Sequence, residues 1–358
     1  MKIKTLALFL LCALLLCACD TGSAVSVQPT AVAPTEQAAE PTASPQTTPQ
    51  EAKQVVIAAA TSEATQAPAV TMPPTPEPTP VPTPEPTATP VPKLGVLDGK
   101  FADKFVTGTP VITDMSYQSD TLAIFISKET DKSKEISREP YTYYLADVYF
   151  QNMENFRSGF SHTMDFKYKY IERVDVIAKE YNALFAISGD YIRYRDTGVC
   201  VRNGVLCRST PDNERDMGVI YLDGRMETYE AKKAPVEALL ADENVWHIIG
   251  FGPELLDENG QPKTQFNTKV SGHNPRCAIG YYEPGHYCFL MVEGRSDATA
   301  GLRISDLSKL MHSLGCVKAF NLDGGATAAM YFNGKLLNDR GHKPREMHDI
   351  FYIPKDIG

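Results

Sequence analysis

Short runs of alternating apolar and polar residues recur along the chain after residue 94. The segments TLAIFIS (121–127) and TYYLADVYF (142–150) alternate and predict half-buried strands. The continuous apolar run ALFAIS (183–188) predicts a buried strand that ends at Gly189-Asp190. Further strands are predicted over 245–252, 276–282, 286–294 and 316–322, with hairpin turns at Asn203-Gly204, Asp223-Gly224 and Asn333-Gly334.

Three segments have the apolar spacing of a helix. One spans Tyr170–Tyr181, and a brief one lies within APVEALLAD (234–242). The third, SDLSKLMHSLG (305–315), has Ser305 as its predicted N-cap and Gly315 as its predicted C-terminal residue. Many short strands and few helices predict an α+β domain whose sheet is mostly antiparallel.

The first residues of the chain have the pattern of an export signal. Residues 1–19 contain two lysines, an apolar run too short to span a membrane, and a small-residue end. The last four, LCAC, resemble the bacterial lipobox, which implies cleavage before Cys19 and attachment of lipid to its thiol. An ordinary signal peptide with chance cysteines is the alternative. Either interpretation places the protein outside the cytoplasm, and the first anchors it to the membrane.

A tether is predicted between the signal and the domain. Residues 20–93 hold sixteen of the 26 prolines and no aromatic residue, so this Pro/Thr/Glu-rich segment has no material for a core and is predicted to be disordered. Fully extended as polyproline II, it would reach on the order of 200 Å. Residues 94–358 have one mixed composition throughout, and their length fits one large domain or two closely associated ones.

Charge and cysteine content narrow the classes of partner. The net charge of −9 divides into +2 for the signal, −5 for the tether and −6 for the domain, which argues against a nucleic-acid partner. The five domain cysteines, Cys200, Cys207, Cys277, Cys288 and Cys316, show no metal-binding spacing, so we expect no metal and no cofactor. Cys200 and Cys207 flank the Asn203-Gly204 turn, and a type I′ hairpin there would place them directly opposite each other. A disulfide between them is left open.

The segment NLDGGATAAM (321–330) places a carboxylate and two glycines between two apolar runs. No helix can follow the glycines before the next turn, which excludes a dinucleotide fingerprint and a P-loop. Uncovered amides at Gly324 and Gly325 would form an anion-binding nest, with Asn321, Asp323 and the Thr327 hydroxyl beside it. A tight turn with a locally bonded aspartate is the alternative.

Other strand ends also have glycines or charged residues, and such ends are where a rigid scaffold presents chemistry. These positions are Ser188-Gly189-Asp190, Arg276 and Glu293-Gly294-Arg295. His273 in SGHNPR and Arg345 in KPREMHD are weaker candidates for contacts with an anion, and either one is equally consistent with an ordinary surface residue.

An ordered set of motifs resembles the phosphodiester glycosidase family. The segments are AISGDYIRYRDTG, GFGPELLDENGQ, NPRCAIG, LMVEGRSDATAGLRISDLSKLMHSLGCVKAFNLDGGATAAM and REMHDIFYIP, which together span roughly residues 180–354. The resemblance implies hydrolysis of the bond between a sugar's anomeric carbon and a phosphodiester oxygen. It also implies a sugar-phosphodiester or cell-wall polymer as the partner.

The resemblance assigns roles to the candidate residues. Asp323 or Glu293 would activate water or stabilise an oxocarbenium-like state, with Asp190 in a positioning role. The diester anion would be bound by Arg276 and Arg295, by amides of Gly324 and Gly325, and by flanking groups at Ser188, Gly189, His273, Asn321, Thr327 and Arg345.

The chain departs from the family pattern at three places. Ala326 and Thr327 stand where the family usually has Gly and Ser, Glu293 where it has Asp, and Ser188 where it has Asn. These departures motivate an alternative, a wall-binding module that has lost its chemistry. A phosphodiesterase that cuts the P–O bond is a further alternative.

Overall fold

The computed structural model describes residues 95–296, 298–338 and 344–356. The predicted signal peptide (1–19) with Cys19 and the predicted tether (20–93) lie outside the described residues. The described residues form three α-helices: α1 (Val174–Glu180), α2 (Val236–Ala241) and α3 (Ile304–Ser313). None of the helices in these ranges is long and apolar enough to cross a lipid bilayer.

The same residues form seventeen strands, all paired antiparallel. In chain order they are β1 (Val111–Ile112), β2 (Ser116–Gln118), β3 (Leu122–Asp131), β4 (Tyr141–Phe150), β5 (Arg157–Phe160), β6 (Ala183–Ser188), β7 (Cys200–Arg202), β8 (Val205–Arg208), β9 (Met217–Tyr221), β10 (Met226–Tyr229), β11 (Val245–Ile249), β12 (Arg276–Glu283), β13 (His286–Val292), β14 (Lys318–Leu322), β15 (Met330–Phe332), β16 (Lys335–Leu336) and β17 (Asp349–Pro354). The predicted α+β class with a mostly antiparallel sheet is confirmed.

The strands make three sheets. A seven-stranded sheet has the order β1-β2-β3-β4-β13-β12-β14, and two five-stranded sheets have the orders β10-β9-β11-β7-β8 and β16-β15-β6-β17-β5. The seven-stranded sheet buries one face against both smaller sheets, where Phe289 and Phe320 meet Phe185, Ile249 and Phe351. Burial of these large apolar side chains from three sheets supplies the main core.

The helices cover the outer faces of the sheets. α3 packs its Leu307 and Met311 against Ala278 and Leu290 on the second face of the seven-stranded sheet. α1 packs against the sheet of β6 and β17, and α2 packs against the sheet of β9 and β11. Every sheet is therefore buried on at least one face, and the loops at strand ends are left to carry polar groups.

One edge of the seven-stranded sheet collects the predicted site residues. Val292 pairs with Tyr143 on one side and with Arg276 on the other, and Leu322 pairs with Cys277. The residues that follow β13 and β14 and those that precede β12 therefore emerge at the same edge. Because β12 alone separates β13 from β14, the backbones of their ends lie about 10 Å apart.

Two helix predictions differ from the structure. The helix predicted over Tyr170–Tyr181 starts only at Val174, because Glu172 forms a β-bridge with Met347 and holds the preceding chain extended. α3 begins at Ile304 with Arg303 as its capping residue, and no side chain caps it. The Ser305 N-cap is therefore wrong: the Ser271 carbonyl accepts from the Ile304 N–H instead.

The hairpin of β7 and β8 has a different register from the predicted one. A bulge after Cys200 places Arg208 opposite it, where the sequence predicted Cys207. The Asn203-Gly204 turn itself is confirmed, with both residues at positive φ. Cys200 and Cys207 are free thiols in the structure.

Candidate active site

The Asp323 corner, which consists of residues 323–327, follows β14 and is hydrogen-bonded to the end of β6. The Asp323 N–H donates to the Gly189 carbonyl at 2.9 Å, and residues Gly325–Thr327 then form a single 3-10 turn. Ser188 completes the junction, because its hydroxyl donates to the Thr327 carbonyl (2.7 Å) and accepts from the Ala329 N–H (3.1 Å). The family's usual amide at this position is thus replaced by a hydroxyl that bonds on both sides.

Asp190 lies at the far side of this junction in full burial. Its Oδ1 lies 2.7 Å from the Arg202 Nη2 in an ion pair and accepts from the Ile192 N–H at 3.2 Å. Its Oδ2 accepts from the Gly250 N–H at 2.8 Å. The side chain has no exposed surface. In this arrangement Asp190 holds the 189–192 segment in place and does not present its carboxylate to a ligand.

A second buried carboxylate, Asp349, lies beside Asp190. Its Oδ2 is 3.7 Å from the Arg202 Nη2 and accepts from the Asp190 N–H at 3.3 Å. Burial raises the pKa of Asp349 to about 7, with the negative charge of Asp190 adding to the rise and Arg202 opposing it. A single guanidinium therefore faces two carboxylates.

Asp323 itself is nearly buried, at 5 % exposure. Burial is the main cause that raises its pKa from the ordinary 3.8 to about 6, and the negative charge of Asp190 adds to the rise. The Thr327 hydroxyl, the Arg345 charge and the Gly324 amide act against the rise. Its Oδ2 has no hydrogen-bond partner among the described residues. A carboxyl that titrates near neutral pH at a strand end fits a general base or an electrostatic stabiliser.

The predicted amide nest is only partly present. The Gly325 N–H donates to the Pro275 carbonyl at 2.8 Å, so it is not offered to a ligand. Gly325 has φ +64°, and a Cβ added there would lie 3.1 Å from the Arg295 Nη2. Arg295 therefore covers the glycine turn, and its Nη2 donates to the Asn274 Oδ1 at 2.7 Å.

Arg345 also contacts the corner. Its N–H donates to the Ala326 carbonyl at 2.8 Å, and its charge acts on the carboxyl of Asp323. Arg295 covers Gly325 and Arg345 is bonded to Ala326, so both arginines belong to the corner. Both are suited to a phosphodiester anion.

Arg276 does not fill its predicted role as a phosphate fork. It is 4 % exposed, and its guanidinium donates to the carbonyls of Leu302 (3.0 Å), Val270 (3.1 Å) and Gly272 (2.6 Å). Burial, together with the nearby charge of Arg295, lowers its pKa to about 10. The side chain therefore holds the 270–302 loops together beneath the site.

Asn321 and His273 are also engaged within the protein. The Asn321 amide donates to the Gly252 carbonyl at 2.8 Å and is almost fully buried. The His273 Nδ1 lies 3.0 Å from the Gly301 carbonyl, and its Nε2 lies 3.0 Å from the Arg303 Nε. Asn321 secures β14, and His273 belongs to a neighbouring cleft.

Glu293 lies at the same sheet edge but in its own groove. It is 6 % exposed and 3.8 Å from the Lys128 Nζ, and it lines a cavity of about 390 Å³ together with Tyr144 and Ser296. Lys128 also lies over the Tyr144 ring, with its Nζ 4.8 Å from the centroid. The structure therefore gives Glu293 a cationic neighbour of its own.

Several residues around the corner were missed by the sequence analysis. Arg202 and Asp349 could have been noticed, because each is a charged residue within or beside an otherwise apolar strand.

An aromatic stack was also missed. Tyr191 and Tyr194 stack at 4.0 Å between ring centroids, and the Tyr194 ring centroid lies 4.1 Å from that of His348. Burial raises the pKa of Tyr194 and Arg345 opposes it, so this stack borders the corner.

No group of three or more His, Cys, Asp or Glu side chains in the described ranges could hold a metal ion. Asp190 and Asp349 are paired with Arg202 instead. The arrangement assembles carboxylates with guanidinium groups.

Comparison with known proteins identifies the family that this chain resembles. Residues 181–353 match the phosphodiester glycosidase family. The resemblance predicted from the motifs is thereby confirmed. The zebrafish N-acetylglucosamine-1-phosphodiester alpha-N-acetylglucosaminidase catalytic domain, auto-inhibited by its pro-peptide, superposes with a TM-score of 0.52 at 22% identity, over 66% of this chain and 83% of that one. The two share a fold.

Two further proteins are similar to this chain. The SPbeta prophage-derived uncharacterized protein YomE of Bacillus subtilis is 25% identical over 237 residues, which is 64% of this chain. The match spans 36% of that protein's length. A hypothetical protein from Synechocystis superposes with a TM-score of 0.48 at 13% identity, over 69% of this chain and 64% of that one.

Proposed function

We propose that the protein is an exported, membrane-anchored hydrolase that cleaves the glycosidic C–O bond of a sugar-1-phosphodiester. The observation that carries the proposal is the Asp323 corner: a nearly buried carboxyl, whose pKa burial raises to about 6, precedes a glycine turn that Arg295 covers, and the charge of Arg345 acts on it. The family match supports hydrolysis of a phosphodiester glycosyl linkage.

The chemistry assigns the charged groups as follows. Arg295 and Arg345 bind the diester anion, and the two Nη groups of each can bond a pair of phosphate oxygens. Asp323, ionised above pH 6, activates water or stabilises the positive charge that develops at the anomeric carbon. The departing phosphomonoester is a weak base and needs little protonation. Glu293 is the second carboxylate at this edge.

Export and anchoring rest on the first residues of the chain. The signal pattern of residues 1–19 and the lipobox-like LCAC support attachment of a lipid to Cys19. The proline-rich tether would then let the domain reach substrates on the order of 200 Å from the membrane. Envelope polymers and glycans that contain sugar-1-phosphodiesters are the substrates within that range.

Turnover of the purified protein tests the activity directly. The assay uses a panel of sugar-1-phosphate methyl diesters that begins with N-acetylglucosamine and measures free sugar. We expect Asp323→Asn to lose most of the rate and Arg295→Gln to raise KM. Asp223→Asn is the matched control, because Asp223 is an exposed aspartate that pairs with Arg225 on the surface. Absence of turnover on the whole panel, or unchanged turnover in Asp323→Asn, contradicts the proposal.

The bond that breaks is identified by isotope. Hydrolysis in ¹⁸O-labelled water places the label in the sugar if the C–O bond is cut, as proposed. Label in the phosphate would instead assign the protein as a P–O-cleaving phosphodiesterase.

A binding module without catalysis is a second candidate, and the burial of the carboxylates favours it. Asp190 has no exposed surface and Asp323 has 5 %. Saturable binding of a wall polymer without release of any product would support this candidate over the hydrolase.

A further inference from the structure

A basic cleft lies at the same sheet edge as the Asp323 corner. Its cavity has a volume of about 620 Å³. Its walls come from the loop between β3 and β4 and from the start of α3. The cationic side chains that line it are Lys134, Arg138, Arg303 and Lys309, joined by His273 and by three acids, Glu135, Glu139 and Asp306.

Three of the four cations in the basic cleft make no ion pair among the described residues, and the four cations outnumber the three acids of the lining by one. Lys309 is 3.7 Å from Asp306, the one ion pair among these residues in the part of the chain that the structure describes. Lys134, Arg138 and Arg303 are exposed. Their charges therefore face a cavity large enough for a phosphate group and its neighbouring sugar.

The hydrogen bonds of His273 hold the Nε group of the Arg303 side chain in place. Because an arginine can only donate, the His273 Nε2 accepts from the Arg303 Nε at 3.0 Å. The proton of the neutral ring is then on Nδ1, which donates to the Gly301 carbonyl at 3.0 Å. Arg303 is thus anchored through Nε, which leaves its two Nη groups for a bidentate contact with an anion.

The position of Arg303 adds to the attraction for an anion. It is the capping residue of the ten-residue helix α3, and no side chain caps that helix. The positive end of the helix dipole lies there and favours negative charge, part of which Asp306 supplies from the first turn. The anchored guanidinium and the helix end act on the same side of the cavity.

Consecutive contacts connect the basic cleft to the Asp323 corner. His273 contacts Arg303 in the cleft, and the next residue, Asn274, accepts from the Arg295 Nη2 at 2.7 Å. Arg295 in turn covers Gly325 beside Asp323. Arg295 and Arg303 are therefore held by two consecutive residues, Asn274 and His273, which places the two guanidinium groups on neighbouring parts of the surface.

We propose that the basic cleft is a second anion subsite, which binds a neighbouring phosphate of a substrate with repeated sugar-phosphate units. This inference rests on the proposed function for the identity of the substrate. It names the substrate class as a polyanion, where the Asp323 corner alone requires a single diester. The anchored Arg303 and the exposed Arg138 are the principal contacts.

Binding of inorganic tripolyphosphate to the full chain tests the subsite independently of catalysis. Isothermal titration calorimetry at low salt should show saturable binding to one site, weakened about tenfold or more in the double variant Arg138→Gln/Arg303→Gln. The matched control, Lys100→Gln/Lys335→Gln, removes the same charge from exposed lysines; Lys100 pairs with Glu283 at the opposite end of β12. We expect this control to bind like the unmodified protein.

Any of three binding results overturns the inference. The unmodified protein shows no saturable binding, the Arg138→Gln/Arg303→Gln variant binds as tightly as the unmodified protein, or the two double variants are weakened equally. The net negative charge of the chain makes nonspecific binding of this polyanion unfavourable. Since each substituted side chain is exposed, we expect matching thermal unfolding curves for the two double variants. The single variant Arg303→Lys provides a milder test, because it keeps the charge and removes the fork.

Kinetics then separate this inference from the proposed function. With a sugar-1-phosphate methyl diester, the Arg138→Gln/Arg303→Gln variant should keep the kcat and KM of the unmodified protein. With an oligomer of repeated sugar-phosphate units, its KM should rise about tenfold while kcat is retained. Turnover of both substrates with no difference between the variants overturns the second subsite and leaves the hydrolase intact. Absence of any turnover overturns the hydrolase, and the calorimetry still decides the subsite.

Discussion

The Arg202 Nη2 lies 2.7 Å from the Asp190 Oδ1, and neither side chain has any exposed surface. The same guanidinium is 3.7 Å from Asp349, and its Nη1 donates to the Ile248 carbonyl at 2.5 Å. Phe351 covers it from one side, with its ring centroid 5.2 Å from the Arg202 Cζ. These contacts connect β7 and β11 of one sheet with the ends of β6 and β17 of another, directly behind the Asp323 corner.

Removal of Arg202 should therefore be costly. In Arg202→Met, Asp190 and Asp349 remain buried without a counter-charge, so we expect a loss of about 3–5 kcal/mol in the free energy of unfolding. Urea denaturation followed by circular dichroism measures this loss. Arg225→Met is the control, since Arg225 pairs with Asp223 on the surface and its loss should cost about 1 kcal/mol or less. Equal costs in the two variants would show that the buried charges are not interdependent.

Asp349 should make the protein less stable as the pH rises. Its pKa is about 7 in the folded state, against an ordinary 3.8, so between these values the folded state binds the proton and the unfolded state does not. This contribution is complete below about pH 4 and is lost as the pH rises through about 7, at about 1.4 kcal/mol per pH unit. Asp323, with a pKa of about 6, acts in the same direction.

The variant Asp349→Asn tests this pH dependence. The asparagine does not titrate, so we expect a flatter decline of the unfolding free energy between about pH 5 and 7. Relative to the unmodified protein, the variant should be more stable at pH 8 than at pH 5. Parallel stability curves for the two proteins would assign Asp349 an ordinary pKa.

Activity should depend on pH through Asp323. If the ionised carboxylate activates water or stabilises the developing cation, kcat/KM should rise with pH and level off above about 6. The rise should be absent from the residual rate of Asp323→Asn. A rate that falls through pH 6 would instead make Asp323 a proton donor, and an unchanged profile would remove it from the reaction.

Local patterns predicted the strands and turns well, because each depends on neighbouring residues. ALFAIS forms the buried strand expected over 183–188, and Asn203-Gly204 forms the expected turn. The helix at Tyr170 was overextended because its first turn is displaced by the bridge between Glu172 and Met347, residues far apart in the sequence. Long-range pairing of this kind leaves no mark in a local apolar period.

The sequence predicted where several site residues lie but not the role of each one. The motifs indicated that Arg276, Glu293 and Asp323 lie at strand ends, and the sheet places all three at one edge. Their roles depend on burial and partners that a sequence does not contain. Arg276 is occupied by three backbone carbonyls, whereas Arg295, one of several arginines by sequence, covers the glycine turn.

Gly189 shows how closely the junction behind the corner is packed. A Cβ added there would lie 2.3 Å from the Asp349 Oδ2 and 2.5 Å from the Asp349 carbonyl oxygen, neither of which can move freely in the core. We expect Gly189→Ala to destabilise the fold by about 1–3 kcal/mol and to lower kcat by disturbing Asp323, whose N–H donates to the Gly189 carbonyl. Gly272→Ala is the matched control: a Cβ there meets nothing within 4 Å, and we expect a change of less than about 0.5 kcal/mol. If denaturation finds the two alanine variants equally stable, the tight contact between Gly189 and Asp349 is absent in solution, and the positioning role of this junction is removed with it.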